Sequence, residues 1–136
     1  MAAFTITHQG VPIGTIELDE AEYRSAAAVA PLPAYESIRP IVRAASVALR
    51  AAAVSADHAD NRSRDALNRG AALGKDLELR GSNGELVPTD FIELAEWPGE
   101  TPEVRAWVGF RGVPAREPAR TGPRRGKGPE SASPAA

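Results

Sequence analysis

The chain contains no cysteine, which removes disulfides, thiolate nucleophiles and every zinc site built on sulfur. Aromatic residues are scarce at 5%, so the core has to be assembled from Val, Ile, Leu and many Ala. Only two histidines and one methionine occur. No run approaches the roughly 18 consecutive apolar residues of a membrane span. The first ten residues alternate apolar and polar side chains without a basic region ahead of an apolar run, unlike a signal peptide. The cytoplasm is the expected location.

What remains is ordinary globular composition, with 43% hydrophobic and 25% charged residues over 136 positions, the size of one domain. Arg outnumbers Lys 14 to 2, and Ala, Gly and Pro are abundant, as expected for a high-GC bacterial genome or one of its phages. The net charge of −2 is unevenly spread. Residues 112–136 carry five bases and two acids, a net +3, which leaves −5 on the other 111 residues.

Periodicity predicts an α+β fold. Phe4 and Ile6, then Ile13, Ile16 and Leu18, flank a Gly/Pro turn and predict a hairpin with strands near 3–8 and 13–18. The apolar run 26–32 is expected to be a third strand buried on both faces. Ile38, Ile41, Val42, Ala45, Leu49 and Ala52 recur at helical spacing over 38–54, with Arg39, Arg43 and Arg50 mainly on other faces. Ser37 is the expected N-cap, which places Pro40 third, where its missing N–H has no intrahelical partner. The alternative is a start near Ala34 with a kink at Pro40. After a polar break, Asp60 or Asn61 caps a shorter helix through Ala72, with Asp65 and Arg69 as a surface pair and Gly74 as its stop.

The period then returns to two. Leu77 and Leu79 precede a turn over 81–84 carrying Asn83-Gly84, which favours a tight hairpin. Phe91, Ile92 and Leu94 mark another strand. Val104, Ala106, Val108 and Phe110 alternate with Arg105, Trp107 and Arg111 in the last. Residues 11–20 and 87–96 agree at six of ten positions, which suggests an internal repeat. The fold expected is two short antiparallel β-meanders with a long and a short helix inserted between them. The domain is expected over 1–112, with 113–136 a disordered Pro/Arg/Gly-rich tail.

Few constellations point to chemistry. Asp57, His58 and Asp60 have metal-ligand character but suit a capped inter-helix loop better. His8 lacks a nucleophile or an orienting partner, and residues 70–74 lack the Lys-Ser/Thr of a phosphate loop. Glu17, Asp19, Glu20 and Glu22 would form a carboxylate cluster with Glu93, Glu96 and Glu100 if the two repeats faced each other. No catalytic residue, cofactor or metal site is assigned.

Trp107 falls out of phase with the buried side of its strand. Trp107, Arg105 and Trp97 are therefore the candidate protein-binding residues. The expected function is a small non-catalytic interaction or accessory module that binds another protein or self-associates. One alternative is a nucleic-acid-associated factor using Arg116, Arg120, Arg124, Arg125 and Lys127, through counterion release. Another is an enzyme or metal-binding protein built on the clustered carboxylates.

Overall fold

The computed structural model describes residues 1–54 and 61–112. Strands β1 (Ala2–His8) and β2 (Val11–Leu18) form an antiparallel hairpin. Its turn places Gln9 at φ 53° and Gly10 at φ 82°, the paired positive angles of a two-residue connection matched to strand twist. Strand β3 (Arg24–Pro31) follows, then a 3₁₀ turn (Pro33–Ser37) and helices α1 (Arg39–Val54) and α2 (Asn61–Lys75). Strands β4 (Leu77–Arg80) and β5 (Leu86–Val87) make a second hairpin, and β6 (Thr89–Trp97) and β7 (Glu103–Phe110) a third.

All seven strands join one antiparallel sheet in the order β5-β4-β1-β2-β3-β7-β6. The α+β class therefore holds, and the helices do lie between the two groups of strands in the chain. The second group is not a meander. Its two hairpins separate, β4–β5 to one end of the sheet and β6–β7 to the other. The sheet curls until β4 touches β6, and α1 and α2 pack against β6 at that seam.

Alternation decides what lies inside the curl. Phe4, Ile6, Ile16, Leu18, Leu79, Ile92, Val104, Ala106, Val108 and Phe110 are buried there, joined by Tyr35, Ile38 and Val42 from the helical segment. Phe4 and Phe110 meet at 5.8 Å between ring centres.

Four local expectations need correction. Strand β3 is not buried on both faces: Ala26, Ala28 and Ala30 are exposed and Val29 alone is fully covered, because only one face of the curled sheet meets the core. Ser37 does not cap α1. Its hydroxyl donates to the Ala34 carbonyl within the 3₁₀ turn, and Ile38 accepts the first helical bonds from Ile41 and Val42. Helix α2 does not stop at Gly74 but runs through it to Lys75. The connection from β4 to β5 spans 81–85, longer than a tight two-residue turn.

The aligned segments 11–20 and 87–96 also occupy unlike places. The first forms β2 inside the sheet, while the second supplies the last residue of β5 and most of edge strand β6. Glu20 is exposed where its counterpart Glu96 is buried.

Candidate functional site: a groove at the β6 edge

Strand β6 hydrogen-bonds to a neighbouring strand on one side only. Successive residues of a strand point their peptide groups to opposite sides, so Ile92, Leu94 and Glu96 turn theirs away from β7. The helices meet this open edge at its two ends. At one, the Glu96 N–H donates to Ser46 Oγ over 2.9 Å, and Arg50 Nη1 donates to the Glu96 carbonyl over 3.1 Å. Ser46 Oγ in turn donates to the Val42 carbonyl of its own helix. At the other, Gly74 lies so close to Ile92 that a Cβ there would stand 2.8 Å from the Ile92 oxygen. Leu94 lies between. No described residue hydrogen-bonds to its N–H or its carbonyl.

Small residues bring α2 against α1 as well, with Gly70 facing Ala45. Beside the Leu94 edge, this packing leaves an apolar groove of about 530 Å³ between the helices and the β6–β7 hairpin. Leu49, Leu67, Ala71, Leu94, Trp97 and Trp107 supply its apolar lining, and Arg24, Arg50 and Glu93 its charges. Leu49 is 59% exposed although helical spacing placed it toward the core, whereas Ser46 and Ala48 are buried instead. Ser46 faces β6, where its hydroxyl takes the Glu96 N–H.

Trp107 points away from the core face of β7, and it pairs across the sheet with Glu93 and Ala26. Its ring meets that of Trp97 at 5.8 Å between centres and 39° between planes. The two tryptophans stand four residues apart in register, and Ala95 between them leaves room for the rings to lean together. Trp97 is 40% exposed. Arg105 lies opposite Ala95, with its guanidinium on Glu103 at 2.9 Å. All three residues singled out in the sequence thus belong to the β6–β7 hairpin, and both tryptophans line the groove.

The carboxylates do not converge. Among the described residues no group of three acids or histidines is placed to hold a metal ion. Glu96, one of the carboxylates the sequence offered for a cluster, is buried with its side chain 1% exposed. It accepts from the Tyr35 hydroxyl at 2.9 Å and from Arg43 Nε at 2.7 Å, with Arg39 Nε 3.8 Å away. Arg39 also pairs with Glu36 at 3.2 Å and lies over the Tyr35 ring. The arginines of α1 therefore turn toward β6 rather than away from it. Burial, then the bond to Glu96, pushes the Tyr35 hydroxyl well above the ordinary tyrosine range, and the same carboxylate raises Arg43. The partners of this buried acid do share a spacing on one helix, Arg39, Arg43 and Arg50 at i, i+4 and i+11 with Ser46 among them, but nothing in that spacing names Glu96 as the acid they meet.

His8 ends β1, paired with Val11 and Leu77. Residues 70–74 lie within α2, not in a loop. Asp57, His58 and Asp60, and the tail residues Arg116, Arg120, Arg124, Arg125 and Lys127, lie outside the described residues. No described helix is long and apolar enough to cross a membrane. Comparison with protein-family models, with curated protein sequences and with solved structures finds no match to the chain.

Proposed function

We propose that this chain is a small non-catalytic interaction module, of bacterial or phage origin and working in the cytoplasm, that binds another protein through the groove at the β6 edge. One observation carries the reading. Trp97 and Trp107 stack together beside an apolar groove of about 530 Å³, and Leu49 is left exposed on its wall. Exposed large side chains gathered around a concavity are costly in water unless a partner covers them, and Trp and Arg dominate the energetics of such contacts. Arg105 on the same hairpin is the expected polar contact at the rim.

The buried carboxylate favours this reading over catalysis. Both Glu96 oxygens are engaged, by Tyr35 and Arg43, so its charge serves to hold α1 on β6.

The test is selection of a random peptide display library on the full chain. Enriched peptides should bind the purified protein with a shift in tryptophan emission, and Trp97→Ala or Leu49→Ser should weaken them at least tenfold, the scale of a lost interface anchor. Failure to enrich any peptide, or enrichment indifferent to both substitutions, contradicts the proposal.

A further inference from the structure

Arg50 lines two cavities at once. Besides the groove, it borders a smaller space of about 200 Å³ shared with Arg43, Glu96, Pro98, Gly99 and Pro102. The charges around it do not balance. Arg39 pairs with Glu36 and Glu96, and Arg43 with Glu96. Among the described residues Arg50 bonds only to a neutral carbonyl. Among the described residues three guanidinium groups thus face two paired carboxylates, and Arg50, where the apolar groove ends, is the one without an acid partner. Farther along the groove Arg24 and Glu93 both line the wall, with Arg24 over the Phe91 ring, and Glu100 is exposed between the loop residues Gly99 and Pro102 that border the smaller cavity.

The backbone adds a second requirement. Leu94 offers one N–H and one carbonyl at the β6 edge, while Ser46 and Arg50 close the edge at Glu96 and Gly74 closes it at Ile92. An extended chain can therefore add to this edge across a single residue, a one-rung version of strand addition. Glu96, where Arg50 is anchored, lies two residues from Leu94, about 7 Å along a strand.

Building on the groove reading, we propose that the occupant is an extended segment of a partner protein that pairs one peptide unit with Leu94. It places an apolar side chain against Leu49 and Trp97, and an Asp or Glu within about two residues on Arg50. The apolar residue supplies burial. The acid supplies selection, because among side chains a carboxylate best answers a guanidinium that has no acid partner among the described residues.

The experiment uses random heptapeptides displayed and selected on the full chain at low and at high salt. The expected pool couples an apolar residue to an acid one or two positions away, and high salt depletes it. A synthetic peptide from that pool should lose about tenfold in affinity when its acid becomes the amide, as for a lost charged hydrogen bond. Arg50→Gln strands no buried carboxylate, since Glu96 keeps Tyr35 and Arg43. It should bring the acidic peptide down to its amide counterpart and leave the amide peptide unchanged, whereas a merely structural role for Arg50 would weaken both alike. Peptides that are apolar with no acid preference, or an acid effect that survives Arg50→Gln, overturn this inference and leave the groove standing. A pool with no enrichment overturns both.

Discussion

The Tyr35 hydroxyl donates to Glu96 Oε1 across 2.9 Å, joining residues 61 positions apart. One end of this bond is a 3₁₀ turn ahead of α1, and the other is the last turn-ward stretch of β6. Together with Arg43 and Ser46 it fixes α1 on the sheet edge, and so sets the width of the groove.

That bond predicts an alkaline limit to stability. Tyr35 ionises less readily folded than unfolded, because burial and the neighbouring carboxylate oppose the phenolate. A pKa raised in the fold contributes stability that is fully present below the unfolded value near 10 and is lost as pH rises beyond it. The denaturation midpoint should therefore fall above about pH 10, and phenolate absorbance should rise together with unfolding. Tyr35→Phe should remove most of that slope. At neutral pH it should cost about 1–3 kcal/mol, since Glu96 loses a donor. Ionisation of Tyr35 at an ordinary pH in a chain that stays folded would contradict the contact.

Gly74→Ala tests the approach of α2 to β6. Inside an exposed helix this change is stabilising by about 1 kcal/mol. Here the new methyl meets the Ile92 oxygen at 2.8 Å, a backbone atom with no rotamer to escape by. The net effect expected is a loss of about 1–3 kcal/mol, as for overpacking elsewhere. Urea denaturation of the two proteins gives the sign directly.

Thr7 supplies a case of the opposite sign. Its hydroxyl is buried on β1 with no hydrogen-bond partner among the described residues. Thr7→Val keeps the shape, removes the unsatisfied oxygen and suits a strand. A gain of about 1 kcal/mol is expected, raising the melting temperature by about 4–8 °C in a domain of this size. A drop in melting temperature would mean that the hydroxyl has a partner.

The fold was legible where alternation is strict. Val104, Ala106, Val108 and Phe110 announced the buried face of β7, and so turned Trp107 outward. The face of α1 was legible in part: Ile38 and Val42 lie in the core as their spacing predicted, but the Ala-rich second half presents no unique apolar stripe, and Leu49 is exposed. What settles it there is the contact with β6, where Ser46 is buried against Glu96 while Leu49 is left out. Glu96 is the same kind of failure. One acid among several in a strand looks solvated until its partners, 53 and 61 residues earlier in the chain, are folded against it. The separation of the β4–β5 and β6–β7 hairpins to opposite ends of the sheet likewise depends on long-range pairing that no local pattern encodes.

Amide hydrogen exchange on the native protein measures the open edge of β6 residue by residue. The amides of Glu93 and Ala95, directed to β7, and of Glu96, held by Ser46, should exchange slowly. Leu94, in the middle of the same nine-residue strand, should exchange much faster than all three. Protection of Leu94 equal to that of its neighbours would show the edge to be closed, and the groove would then lose the floor on which a partner strand is placed.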